Sequence, residues 1–334
     1  MGKRSSYSRF AKFAWFALGY NILVILWGVF LRASKSGDGC GQHWLTCGGE
    51  VVPSAPQLKT VIEFSHRITS SLAGIVIIVL LVWAIAIWYH GRGENTRRVL
   101  RAAMGSFLFV VVEGLLGAGL VLTGNTAENL TPERPFWMAA HLLNTLVLVA
   151  FLTMAAWFAG GGGRLNFKTP SKYLALLALA LLLILAVGMS GSIAALSSMI
   201  FPSTSLAEGL SKDLSPTSHV LLRLRLLHPV LSIGVGVYLI FVTGWLKSKT
   251  GGKPGVVKWS NILTILVLTQ VAFGAATLLM LAPIVMQLGH LLLADAIWIS
   301  TVLFAASFLE DVPGDESDYI VKSSPLPASR SSSL

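Results

Sequence analysis

Eight stretches of this chain stay apolar for about 20 residues, the length a helix needs to cross a bilayer. They run over roughly 14–31, 66–89, 101–122, 136–158, 172–200, 219–246, 258–281 and 284–309. Backbone N–H and C=O groups find no water in hydrocarbon, so runs of this kind must bond internally as helices. The fold class follows: an all-α integral membrane protein with eight transmembrane helices. Composition agrees, because 12% of residues are charged, about half the share usual in soluble proteins. The first stretch is long for a signal peptide and no small-residue cleavage site follows it, so it is expected to remain as a helix.

The net charge of +10 would suit a nucleic-acid binder if it were spread or clustered on one soluble face. It is instead dealt out to alternate connections. Lys3, Arg4, Arg9 and Lys12 precede the first stretch; Arg92, Arg97, Arg98 and Arg101 lie between the second and third. Arg164, Lys168 and Lys172 fall between the fourth and fifth, and Lys247, Lys249, Lys253 and Lys258 between the sixth and seventh. This is the positive-inside pattern. It predicts a multi-pass protein of the cell inner (cytoplasmic) membrane with both termini cytoplasmic, surrounded by lipid and binding no nucleic acid. Residues 311–334, rich in Ser and Pro, read as a disordered cytoplasmic tail.

The only cysteines, Cys40 and Cys47, share the first outward-facing loop. A disulfide is allowed on that oxidising side, as a structural staple or as a redox pair. His43 is the loop's one other strong metal ligand, too few for zinc.

The eight stretches read as two sets of four. VEGLLGAG in the third places Glu113, Gly117 and Ala118 as TQVAFGAA in the seventh places Gln270, Gly274 and Ala275. AAHLLNT brings His141 to the start of the fourth, and LGHLLLAD brings His290 to the start of the eighth; His66 and His228 do the same for the second and sixth. Both sets begin on the same side, so the expected architecture is two pseudo-symmetric four-helix bundles related by an axis along the membrane normal. The boundaries read as 1–159 for the amino-terminal half, 160–163 for a flexible glycine linker and 164–310 for the carboxy-terminal half. Small residues such as Gly117, Gly119 and Gly274 allow close packing within the membrane, and self-association as a homo-oligomer is compatible with such faces.

His43, His90 and His219 lie in loops or at segment ends. His66, His141, His228 and His290 recur at matched places toward the outer ends of even-numbered helices. A single membrane histidine is more often an interhelical hydrogen-bond donor than a ligand. Four in matched positions favour two pairs of facing imidazoles, each pair able to hold a haem iron from both sides. Zinc is the weaker alternative, since no thiolates or carboxylates gather to complete a tetrahedral shell.

One position breaks the duplication. Glu63 stands three residues before His66, whereas Arg225 stands three before His228. Glu63 can pair with Arg67 at i, i+4, or handle protons beside a bound haem, and the two are compatible. Arg225 and Arg223 suit the carboxylates of haem propionates, although Arg223 equally suits snorkelling to the headgroups. Glu113 is a buried acid with either a functional role or a neighbouring helix to bond. Both readings stay open.

EFSHR (Glu63–Arg67), AAHLLNT, LLHPV, LGHLLLAD and the outer cysteine pair together resemble heme A synthase, over roughly residues 10–310. The resemblance implies that His66 and His141 hold substrate haem O, with Glu63 as catalytic carboxylate and Arg67 near the propionates. It implies that His228 and His290 ligate a haem b, and that Cys40 and Cys47 form a disulfide beside the substrate half. The reaction would oxidise a ring methyl of haem O to a formyl, giving haem A for terminal oxidases, with a haem O synthase and oxidase assembly factors as expected partners. The loop departs from the Cys-Pro-Asp-Trp-Pro form of many members, since Gly41, Gln42 and His43 lead to Trp44 here. Two other readings stand beside this one. A bis-histidine cytochrome b that only carries electrons needs the four histidines but not Glu63. A transporter of parallel repeats is disfavoured, because no helix pair looks broken at mid-depth.

Overall fold

The computed structural model describes residues 3–311. Of the tail expected over 311–334, all but Asp311 lies outside the described residues. The eight apolar stretches are all helical. They correspond to α1 (Lys3–Ala33), α2 (Leu58–Gly91), α3 (Glu94–Leu122), α4 (Arg134–Ala159), α5 (Ser171–Ile200), the pair α7 (Val220–Arg225) and α8 (Leu227–Ser248), α9 (Pro254–Leu279) and α10 (Ile284–Leu309). A short helix, α6 (Leu206–Leu214), precedes α7.

Hydropathy marks the hydrocarbon, not the helix, and the two differ most at α2. With 34 residues at ~1.5 Å each, α2 is far longer than the ~30 Å hydrocarbon layer. Its first turns carry Lys59, Glu63, His66 and Arg67. EFSHR therefore lies inside a helix that continues well beyond the apolar run, rather than at its first residues. α6 was unforeseen although its signal was present: Ser205 and Glu208 have capping-box spacing, and the Ser205 hydroxyl accepts from the Glu208 amide at 3.2 Å.

Within the first four spans, neighbours pack in the cycle α1, α2, α3, α4 and back to α1. The last four repeat it, with α5 against α7 and α8, α8 against α9, α9 against α10, and α10 back against α5. The two cycles meet where α4 packs on α5 and α10 and where α1 packs on α10. α4 and α10 are consequently buried in protein, while the other spans turn large apolar side chains such as Phe16, Val82, Phe241 and Ile265 outward. A buried hydrogen bond crosses this centre, from Trp298 Nε1 to the Leu146 carbonyl at 2.7 Å. Glycine sets the closest approach of α3 to α4: a Cβ at Gly105 would stand 2.2 Å from Phe151, and one at Gly119 2.4 Å from Trp137.

The glycine run between the halves is tied down. The Gly163 amide donates to Glu310 Oε1 at 2.6 Å, the Asn166 amide to the Leu309 carbonyl at 2.7 Å, and the Asp311 amide to the Arg164 carbonyl at 2.7 Å. The segment after α4 is thus laid along the end of α10.

Candidate functional site

The four matched histidines share a surrounding. Each imidazole lies against a glycine on the preceding membrane span, and three of the four take up space that a side chain there would need. A Cβ at Gly28 of α1 would come 3.0 Å from His66 Cε1, and one at Gly191 of α5 would come 3.0 Å from His228 Cε1. A Cβ at Gly274 of α9 would come 2.9 Å from His290 Cε1, and one at Gly117 of α3 3.7 Å from His141 Nε2. The glycine and histidine pairs recur in the same order along both halves. Gly28 and Gly191 were not singled out in the sequence, because a lone glycine in a membrane helix carries no signal without its partner.

In the carboxy-terminal half, the His228 and His290 rings face one another with centroids 6.2 Å apart and planes at 82°. His228 Nδ1 is 3.1 Å from Ser190 Oγ, while His290 Nδ1 is buried with no hydrogen-bond partner. In the other half, His66 lies within electrostatic reach of His141 and Glu113, and its own Nδ1 is likewise buried and unbonded.

Glu113, left open by the sequence, belongs to this site. Its Oε1 lies 2.8 Å from His141 Nδ1 and also accepts from Thr145 Oγ1, and its Oε2 accepts from Asn144 Nδ2 at 2.5 Å. A carboxylate that fixes the tautomer and ring orientation of a histidine through Nδ1 is a common support for a metal-binding Nε2. The corresponding Gln270 contacts His290 differently, with Nε2 3.3 Å from His290 Nε2 and donating to the His290 carbonyl at 3.1 Å.

Glu63 is only 3% exposed. Its Oε2 accepts from the Cys40 amide at 2.8 Å, and its Oε1 accepts from Arg67 Nε at 3.1 Å and from Arg67 Nη2. Arg67 Nη1 donates to the carbonyls of His43, Trp44 at 3.0 Å and Thr46 at 2.9 Å. Cys40 and Cys47 are joined as a disulfide. One ion pair therefore bolts the disulfide loop onto α2 one turn from His66. The contact is close: a Cβ at Gly39 would stand 2.4 Å from the Lys59 backbone, and Thr60 Oγ1 donates to the Gly39 carbonyl at 2.8 Å.

Arg225 sits at the position equivalent to Glu63 and is also neutralised from within. Its Nε and Nη2 donate to Asp213 of α6, at 3.1 and 2.5 Å. Both arginines expected to meet propionates thus have carboxylate partners in the protein itself. Arg223 is exposed.

Among the described residues no three or more His, Cys, Asp or Glu side chains gather to hold a metal ion. In each pair one histidine has its Nδ1 held, His141 by Glu113 and His228 by Ser190, and such pairs, set against glycines, fit a metal whose remaining ligands come from a flat macrocycle. The residues present fit haem.

The family model described as cytochrome oxidase assembly protein matches residues 11–302. The chain belongs to that family. Among curated relatives, a protein of Thermus thermophilus named protoheme IX farnesyltransferase is 42% identical over 308 residues, covering 92% of this chain and 50% of that protein. Proteins named heme A synthase match over shorter stretches. That of Halalkalibacterium halodurans is 37% identical over 131 residues, covering 39% of this chain and 42% of its own length. That of Symbiobacterium thermophilum is 36% identical over 149 residues, covering 45% and 44%. The chain thus spans about half the length of the Thermus relative. The eight apolar helices make this member of the family a multi-pass membrane protein.

Proposed function

We propose that this chain is a heme A synthase that takes haem O and oxidises a ring methyl group to a formyl group, giving haem A for terminal oxidases. His66 and His141 hold the substrate in the half formed by residues 1–159. His228 and His290 hold a haem b in the half formed by residues 164–310, for electron transfer or structure. A bound haem iron supplies the oxidising chemistry.

The chain's own residues supply place and proton handling. Glu113 fixes the His141 ring, so that Nε2 faces the substrate. Conversion of methyl to formyl is a four-electron oxidation by two hydroxylations and loss of one water, and its oxidant comes from outside this chain. Glu63, one helical turn from His66, handles the protons exchanged at the hydroxylations. The disulfide loop covers Glu63 and limits its contact with water. The observation that carries the proposal is this asymmetry: a buried carboxylate stands beside one histidine pair, and at the matching place in the other half stands Arg225, neutralised by Asp213.

The expected setting is the inner membrane, with both termini cytoplasmic by the charge pattern. Handover from a haem O synthase suits so apolar a substrate, which would be costly to release into water. The Thermus relative, named for farnesyl transfer to protohaem IX, supports a link between the two activities.

A second reading, a bis-histidine cytochrome b that only carries electrons, is favoured by one observation. Arg67 and the Cys40 amide occupy both oxygens of Glu63, as a purely structural ion pair would require. Glu63→Gln separates the two. The synthase should keep its haem content and spectrum and lose conversion of haem O; conversion at the wild-type rate would refute the catalytic assignment.

A further inference from the structure

Arg67 and Arg225 have carboxylate partners, but the buried Arg134 and the half-buried Arg32 have none among the described residues. Arg134 is 2% exposed; its Nη1 and Nη2 donate to the Asn129 and Ala127 carbonyls, and its Nε is buried with no partner. Arg32 has a buried Nε without a partner, and its one hydrogen bond is a long one, 3.4 Å, from Nη2 to Gln287 Oε1. Neither guanidinium forms an ion pair among the described residues, and the two are close enough to repel. Of the two acids in the adjoining loop, Glu133 is exposed, and Glu128 is engaged by Lys35, whose ammonium holds that carboxyl below its ordinary range. Two neighbouring guanidinium groups, each with a buried nitrogen and no counter-ion among the described residues, are costly to hold together unless an anion joins them.

Their position identifies the anion. Both line one cavity of about 100 Å³, with Leu120, Met138 and loop residues that include Asn125. Arg32 is four residues beyond Gly28, on the helix face that cradles His66. Leu120 is three beyond Gly117, and Met138 and Arg134 are three and seven before His141, on the face that carries that histidine. The cavity therefore stands about one to two turns from the histidine level, toward the disulfide loop, on three of the four helices of the same bundle. Residues four beyond Gly191 and seven before His290 are Ala195 and Pro283, so the other half has no such pair.

We infer that Arg32 and Arg134 form a carboxylate-binding subsite that takes the propionate groups of the porphyrin held between His66 and His141. The inference rests on the haem-binding reading of that half. The guanidinium groups orient the macrocycle edge-on along the bundle and fix which ring positions lie near Glu63.

The test is binding of ferric protoporphyrin IX and of its dimethyl ester to the full chain in lipid nanodiscs, followed by difference spectroscopy. Binding to this half is defined as the part lost in His66→Ala. In this half the ester should bind wild type at least tenfold more weakly than the free acid. Arg32→Gln should weaken the free acid about tenfold and leave the ester unchanged, with Arg32→Lys recovering part of the loss and the haem of the other half retained in both. Equal binding of acid and ester by wild type, or an unaltered acid affinity in Arg32→Gln, overturns the subsite alone. Absence of any His66-dependent porphyrin binding overturns the haem reading together with the subsite. Loss of co-purified phosphatidylglycerol in Arg32→Gln at unchanged porphyrin affinity would assign the pair to a lipid headgroup and overturn the inference.

Discussion

Glu113 Oε1 lies 2.8 Å from His141 Nδ1, and at the matching place in the other half the neutral Gln270 reaches His290 through Nε2. The two histidine pairs thus differ in how their rings are held. A carboxylate on Nδ1 strengthens Nε2 as a donor to a metal, and an amide cannot do so to the same degree.

Replacing Glu113 by Gln should therefore act on one half only. Loss of such a carboxylate partner commonly lowers affinity by about 10- to 100-fold. Haem titration of Glu113→Gln should give a loss of that order for the His66 and His141 site, with its midpoint potential raised, and no change at the His228 and His290 site. A shift of both sites, or of neither, would separate Glu113 from ligand positioning.

The glycine cradles predict a graded response. A methyl at residue 274 would sit 2.9 Å from His290 Cε1, closer than carbon atoms tolerate, whereas one at residue 117 would sit 3.7 Å from His141 Nε2, in ordinary contact. Gly274→Ala should displace the imidazole, at about 1–3 kcal/mol of overpacking, and deplete haem from the carboxy-terminal half. Gly117→Ala should keep near wild-type haem content. Pyridine haemochrome assays of the two variants decide it.

The eight spans, the four histidines and the oddity of Glu63 against Arg225 could be read from the chain, because hydropathy and spacing along a helix are local properties. What could not be read was which side chain meets which across helices. Arg67 has spacing that suits Glu63, yet nothing local says that its third nitrogen gathers carbonyls of the disulfide loop. Glu113 stays ambiguous until Asn144, Thr145 and His141 of the next helix are seen around it. Arg32 and Arg134 carry no signal in the sequence, and only packing shows Arg134 buried and both without a carboxylate partner among the described residues. α6 carried a legible capping signal, Ser205 with Glu208, hidden by the polar composition around it.

Arg67 joins three parts of the amino-terminal half, and its loss should be felt in all of them. Arg67→Met would leave Glu63 buried without its cation, a change that costs about 3 kcal/mol or more, and would free the carbonyls of His43, Trp44 and Thr46. Adding Glu63→Gln should restore much of the loss, because the uncompensated charge disappears. Thermal midpoints of the two variants test this; a double variant no more stable than Arg67→Met would show that the loop contacts outweigh the buried charge.

The disulfide and Arg67 anchor the same loop, so their effects should not add. Closing a loop of this length restricts the unfolded chain by about 2–3 kcal/mol, and Cys40→Ser with Cys47→Ser should lower the thermal midpoint accordingly. With Arg67 present, the loop stays pinned through three carbonyls, and the Cys40 amide can still reach Glu63. With Arg67→Met as well, the loop keeps only its amino-terminal contacts, Cys40 to Glu63 and Gly39 to Thr60, and residues 41–47 should open to proteolysis. The cycle of these variants should therefore show a coupling of about 1 kcal/mol or more, as expected for groups sharing one structural element. Strict additivity would mean that the ion pair and the bridge stabilise separate parts of the half, and that Glu63 is covered by something other than this loop.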